Sequence, residues 1–219
     1  MKKLLVIEIA IIILFLLGMI FAYYMGLVPR AERTMLVSDA RGERTLVIDA
    51  GHGGLDGGAV AADGTCESGI NLDVALRLDN VMGLYGARTI LTRSSDDIDY
   101  PDSAVSIRDK KVADLQRRLS LVNSAENAVF ISIHQNSYPD DTGVRGVQRL
   151  YSGTDGSREL AESIHSDFIS VLGGASVLES IPTYNDIFIM KKVKCPAVVI
   201  ECGFLSNQDE LKRLKDGRY

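Results

Sequence analysis

The 219-residue sequence contains no tryptophan, and aromatic residues make up only 6% of it. Cysteine is scarce: Cys66, Cys195 and Cys202 are too few for a disulfide scaffold and show no Cys-x-x-Cys spacing. Their odd number leaves at least one thiol free. Positive charge is not in excess, since 24 Lys and Arg face 29 Asp and Glu for a net charge of −5. That balance gives no electrostatic reason to bind nucleic acid. Neither a Gly-Lys-Ser/Thr phosphate loop nor a Gly-x-Gly-x-x-Gly fingerprint is present, which argues against a nucleotide site. Histidine occurs only at His52, His134 and His165, so the place of each is informative.

What the chain does have is apolar material, 46% of its residues, enough for a real core. Part of it is concentrated at the N-terminus. Lys2 and Lys3 open the chain, and no charged residue occurs from Ile9 to Val28, after which Pro29 and Arg30 follow. As a helix such a run spans roughly 30 Å, the thickness of a bilayer core. A buried core helix rarely needs an apolar surface all round. The segment FAYYMGLVPR offers no small-x-small cleavage site, so residues 1–28 are expected to be a retained signal-anchor rather than a cleaved signal peptide. The two lysines place the short tail in the cytoplasm and the rest of the chain on the extracytoplasmic side. Residues 29–44, polar and mixed, read as a linker or edge segment, and 45–219 as one domain.

Within that domain, three short apolar runs of strand type end in chemistry-bearing residues. Thr45–Ala50 leads into Gly51-His52-Gly53-Gly54, Ala128–Ile133 runs into His134, and Ala197–Ile200 runs into Glu201. Near-continuous apolar runs suit strands covered on both faces. Helical patterns lie between them. Ile70–Tyr85 carries Ile70, Val74, Leu78, Val81, Met82 and Tyr85 on one stripe, with Ser68 placed to cap it; others span Ser106–Asn123 and Ser157–Leu172. The alternation predicts an α/β fold: a twisted, mostly parallel or mixed sheet with helices on both faces. Ligands in such sheets gather beyond the carboxyl ends of the strands, where His52, His134 and Glu201 are expected.

A lone histidine after a strand is usually an ordinary loop residue. Two of three at equivalent strand ends, with a glutamate at a third, point instead to a site. Imidazole and carboxylate are the ligand set of catalytic zinc, which takes three protein groups and keeps one position open. Glu67, at the start of the first helix, is the candidate third ligand; it reads equally well as a carboxylate favoured by the helix dipole. The glycines Gly51, Gly53, Gly54, Gly57 and Gly58 permit close backbone approach around His52. Asp49 and Asn136 are candidate groups behind the ligands, though Asp49 reads equally as a structural residue. His165 reads as a partly exposed helix residue, and Cys202 is expected to turn away from the side of Glu201. Arg93, Arg117 and Arg118 read as solvated loop or helix charges.

The stretches VIDAGHGGLDGGAV, ESGINLDVALRL, FISIHQNS and VIECGFLSNQDE, in that order, resemble the zinc-dependent N-acetylmuramoyl-L-alanine amidases of the Amidase_3 type. LTRSSDD from Leu91 and LQRRLSLVNS from Leu115 resemble intervening segments of the family. The resemblance implies that His52, Glu67 and His134 bind one Zn²⁺ and that Glu201 is the catalytic carboxylate. It implies a peptidoglycan substrate, cut at the amide between N-acetylmuramic acid and the L-Ala of the stem peptide. The anchored N-terminus and SIRDKKVADLQRRLSLVNS are similar to the sporulation amidases of the CwlD type, which implies work on muramic-δ-lactam formation in spore cortex, within the forespore intermembrane space. Family members usually continue past Asp216–Tyr219 into a final helix, so either the chain is truncated or that helix is lost. A zinc carboxypeptidase acting on wall peptides and a non-catalytic wall-binding regulator are the rival readings. No residue pattern identifies an activating protein partner.

Overall fold

The computed structural model describes residues 38–39, 42–173, 177–183 and 187–219. The expected signal-anchor over 1–28 lies outside the described residues. Among those described, no helix is long and apolar enough to cross a membrane. Ser38–Asp39 and Gly42–Glu43 are short extended pairs within the expected linker. Residues from Arg41 to Tyr219 form one compact unit.

Its centre is a six-stranded sheet. In chain order the elements are β1 (Thr45–Ala50), α1 (Glu67–Leu84), β2 (Arg88–Leu91), α2 (Ile107–Ser124), β3 (Ala128–Asn136), β4 (Val147–Tyr151), α3 (Ser157–Leu172), β5 (Val177–Pro182), α4 (Phe188–Lys192), β6 (Ala197–Phe204) and α5 (Gln208–Leu214). The strands lie in the order β2-β1-β3-β6-β4-β5. All pairs are parallel except β4 against β6, so the sheet is mixed.

Side-chain alternation along the strands divides the core into two layers. Leu46, Ile48, Ala50, Ile133, Val198 and Ile200 face α1 and α3, where Ala75, Leu72, Leu78, Ala161 and Phe168 meet them. Val47, Phe130 and Val199 face the other way and pack against Val122 and Leu119 of α2 and Ile189 and Met190 of α4. Helices therefore cover both faces, as the apolar runs predicted.

Several boundaries move. β3 and β6 continue through His134 to Asn136 and through Glu201 to Phe204, so these residues sit inside strands rather than just past them. The reason is register: His134 pairs with Glu201 across the parallel β3–β6 ladder, which prolongs both strands beyond their apolar cores. Helix α1 begins at Glu67, three residues before the expected start. Cys66, not Ser68, is its N-cap and makes no side-chain cap bond, while Ser68 is buried within the first turn. Val81 and Tyr85, placed on the apolar stripe of this helix, are exposed. Both lie near its C-terminal end.

Helix α2 starts where expected because Ser106 closes a capping box. The Ser106 hydroxyl accepts from the Asp109 backbone N–H at 3.1 Å, and the Asp109 carboxylate accepts from the Ser106 N–H at 3.0 Å. Ser106→Ala is expected to cost about 1 kcal/mol of stability, read as a lower urea midpoint at unchanged slope.

Candidate metal centre

The alternation that builds the core also aims the site. Asp49 follows Val47 on β1, His134 follows Phe130 and Ser132 on β3, and Glu201 follows Val199 on β6, so all three point to the α2/α4 face. Cys202 turns to the opposite face and packs against the α1/α3 layer, as expected.

Beyond β1 the chain makes a tight turn at Gly51-His52-Gly53-Gly54. His52 holds the left-handed value φ +60°, rare for a residue with a side chain. Two buried arginines hold this turn. Arg118 of α2, only 2% exposed, donates to Asp49 Oδ1 at 2.8 Å, to the carbonyl of Ala50 at 2.6 Å and to the carbonyl of His52. Arg93 donates to the carbonyls of Ala50 at 2.9 Å, Gly51 at 3.1 Å and Ser68 at 2.8 Å. The expectation that these arginines are solvated charges is wrong for both. Carbonyls at the end of a central strand need donors, and a guanidinium supplies several in one plane. Arg117 alone stays partly exposed, bound to Asp114 and the Thr92 carbonyl.

Asp49 belongs to this support and not to the ligands. Burial opposes its ionisation, but Arg118 and hydrogen bonds from Ser132 and Thr92 hold its carboxyl below the usual range. Asn136 hydrogen-bonds Gln148 and the Ser137 N–H rather than the candidate ligands.

The candidate ligands do converge. One ligand atom each from His52, Glu67 and His134 lie within 4.8 Å of one another. The His52 and His134 rings meet edge to face with centroids 4.9 Å apart. Glu67, buried at the start of α1, accepts from His134 Nδ1 at 2.8 Å, from the Gln135 N–H at 3.0 Å and from Asn71 at 3.1 Å on Oε1, and from the Ala59 N–H at 2.9 Å on Oε2. Burial works against the charge, yet these bonds and the two imidazoles bring its pKa down to about 2. Asp56 accepts from His52 Nδ1 at 3.0 Å, leaving Nε2 free and 3.4 Å from Glu67 Oε2.

Two glycines make room for this cluster. A Cβ on Gly51 would fall 2.3 Å from His134 Nε2, and one on Gly58 only 2.5 Å from Glu67 Oε2. Gly58 also holds φ +68°, which only glycine adopts freely. Two nitrogens and one carboxylate, gathered this closely and braced from behind, could hold a metal ion.

Glu201 stands apart from the three. Its Oε2 is buried and has no hydrogen-bond partner, a costly state for a carboxylate unless something else fills the space before it. Burial pushes its pKa up to about 7; His134 opposes the shift and the charge of Glu67 adds to it. A cavity of about 340 Å³ opens beside His52 and His134, floored by Phe130, Leu115 and Met190 and bordered by Lys111 and Arg118. His165 lies away from the site on α3, partly exposed and bonded to Arg149.

Comparison with known proteins places the chain. The family model for N-acetylmuramoyl-L-alanine amidase matches residues 46–219. The chain belongs to the Amidase_3 family. It is 33% identical to the germination-specific N-acetylmuramoyl-L-alanine amidase of Bacillus subtilis (strain 168) over 177 residues, covering 80% of this chain and 73% of that protein. Among solved structures it resembles the CwlD amidase of Clostridioides difficile, determined in complex with the GerS lipoprotein, with 35% identity and a TM-score of 0.74 over 78% of this chain and 88% of that one. It also resembles the catalytic domain of CwlV, an N-acetylmuramoyl-L-alanine amidase from Bacillus (Paenibacillus) polymyxa var. colistinus, with 28% identity and a TM-score of 0.66 over 80% of this chain and 88% of that one. The likeness to family segments that the sequence suggested is thereby shown, and the protein is an amidase of this class.

The environment of Glu201 has a measurable consequence. A carboxyl whose folded pKa is raised from 4.5 to about 7 favours folding below pH 4.5, and that contribution is lost as pH rises through 7. In chelator-treated protein, wild-type stability should fall relative to Glu201→Gln between pH 4.5 and 7.5, by about 2–3 kcal/mol at 1.36 kcal/mol per pKa unit. Urea titrations of both proteins across that range check it. Parallel curves would show that Glu201 ionises at its ordinary pKa.

Proposed function

We propose that this amidase hydrolyses the bond joining the lactyl group of N-acetylmuramic acid to L-Ala of the stem peptide, with zinc held by His52, Glu67 and His134. The observation that carries the reading is the gathering of these three side chains at one sheet edge, beside a Glu201 whose inner oxygen is orphaned. Bound zinc would act as a Lewis acid toward the amide carbonyl and lower the pKa of water. The Glu201 carboxylate takes the proton of the attacking water and returns it to the alanine nitrogen as the amine leaves. Burial raises the proton affinity of this carboxyl above that of an exposed one, which helps it take the proton before handing it on. The turn at 50–52, fixed by Arg93 and Arg118, keeps His52 in place while the bond breaks.

A carboxypeptidase needs a cation to receive the free carboxylate of its substrate. Of the two cations bordering the cavity, Arg118 is already spent on Asp49, Asp114 and backbone carbonyls and Lys111 is paired with Asp56, which favours cleavage of an internal amide. The intact ligand cluster and Glu201 weigh against a non-catalytic regulator.

The similarity to the germination-specific relative supports a role in muramic-δ-lactam formation during maturation of the spore cortex. With residues 1–28 as a membrane anchor, the enzyme would work on the extracytoplasmic side, in the forespore intermembrane space. The relative solved with a lipoprotein supports a protein partner at the same membrane surface.

Two variants separate the roles of the glutamates. Glu67→Ala is expected to lose zinc and activity together. Glu201→Gln is expected to keep zinc while hydrolysis falls about 10²–10⁴-fold. Metal analysis and mass mapping of products released from purified peptidoglycan decide it. Intact stem peptides with a free L-Ala amine are the expected product; loss of a terminal D-Ala would indicate a carboxypeptidase.

A further inference from the structure

His52 is the least supported of the three candidate ligands. It sits on a loop, not in a strand or helix, and its backbone holds a left-handed conformation that costs free energy. Side-chain contacts must fix its ring. Asp56 accepts from His52 Nδ1 at 3.0 Å, which sets the tautomer and leaves Nε2 as the free nitrogen. Asp56 is itself held at its other oxygen, by the Gly58 N–H at 3.3 Å and by Lys111 Nζ at 2.7 Å. Lys111 comes from α2, 55 residues further along the chain.

The same helix also supplies Arg118, which binds the His52 carbonyl. Helix α2 thus grips this residue twice, at its backbone through Arg118 and at its ring through Lys111 and Asp56. The surroundings of Lys111 favour this contact over others. Its neighbour Lys110 lies over the Tyr100 ring at 5.5 Å, and Asp114, one turn on, is taken by Arg117 and Arg118. Asp56 is the carboxylate that Lys111 pairs with among the described residues.

We infer that Lys111 and Asp56 are positioning residues for the metal, acting through the His52 ring: Asp56 orients the imidazole and Lys111 fixes the Asp56 carboxylate. The inference rests on the ligand reading given above. Neither residue touches the reacting atoms. Removing either frees the ring to rotate about its strained backbone, so the loss falls on metal affinity before it falls on chemistry. Outer partners of this kind typically change metal affinity about 10–100-fold.

The experiment is a zinc titration against a competing chelator, on the protein carrying Asp56→Asn, Lys111→Met, Lys111→Arg or His52→Ala. Thermal unfolding of each chelated protein runs in parallel. Asp56→Asn should weaken zinc about 10–100-fold and Lys111→Met about 10-fold, with unfolding of the chelated protein little changed for Lys111→Met. Lys111→Arg should restore affinity to within about 3-fold, since a second cation reaches the same carboxylate. At saturating zinc, kcat of Lys111→Met should recover while the zinc concentration for half-maximal activity stays raised. Wild-type affinity in both Asp56→Asn and Lys111→Met, with affinity lost in His52→Ala, would overturn this inference and leave the ligand reading intact. Wild-type affinity in His52→Ala would overturn the ligand reading itself. Should Asp56→Asn fail to fold, Lys111→Met, half-exposed on a helix, decides alone.

Discussion

A guanidinium buried under a turn is the constraint on which the rest of this structure depends. Arg118 neutralises Asp49 and binds the carbonyls of Ala50 and His52, while Arg93 shares the Ala50 carbonyl and binds that of Gly51. A parallel strand that stops in the middle of a sheet leaves its last carbonyls without a ladder partner. Here those groups are satisfied from two directions by charged donors, and the turn that carries His52 is fixed as a result. Taking away one partner of so buried a pair leaves a charge alone in the core, a loss of about 3–5 kcal/mol. Supporting the site and holding the fold together are therefore one task, performed by the same atoms.

The site assembles because three parallel strands deliver their carboxyl ends to one edge and α1 begins there. β3 and β6 place His134 and Glu201 opposite one another in register. Helix α1 opens with Glu67, whose carboxylate collects two backbone N–H groups and Asn71. Glycine at positions 51 and 58 lets imidazole and carboxylate lie against bare backbone. The two glutamates end in opposite states. Glu67 is held ionised, with its pKa near 2, whereas Glu201 is desolvated to about 7. One carboxylate is suited to holding a cation and the other to carrying a proton.

Much of this was legible in the sequence. Continuous apolar runs located β1, β3 and β6, and the residues that follow them located His52, His134 and Glu201. Helix α3 spans the residues expected from periodicity, and α2 begins within one residue of its expected start. Less was legible where the information is long-range. Arg93 and Arg118 look like surface charges in a helical or loop context, and only the fold shows that they lie beneath β1. The pairing of His134 with Glu201 extends two strands past their apolar segments, which periodicity cannot register. Glu67 was ambiguous because a helix-start carboxylate and a metal ligand share one local pattern. What separates them is proximity to two imidazoles far away in sequence. Asp56 lies inside a glycine-rich loop, and its four-residue spacing from His52 is the one local sign of their contact.

The central claim is that His52, Glu67 and His134 hold zinc while Glu201 stands off the metal. The most direct measurement is a crystal structure of the zinc-loaded protein with anomalous data collected on both sides of the zinc absorption edge. The account predicts a single zinc peak bonded to two imidazole nitrogens and to a carboxylate oxygen of Glu67, at about 2.0–2.2 Å, with Glu201 outside bonding distance. A peak bonded to Glu201 in place of Glu67, or no peak at the His52–His134 cluster, would contradict it.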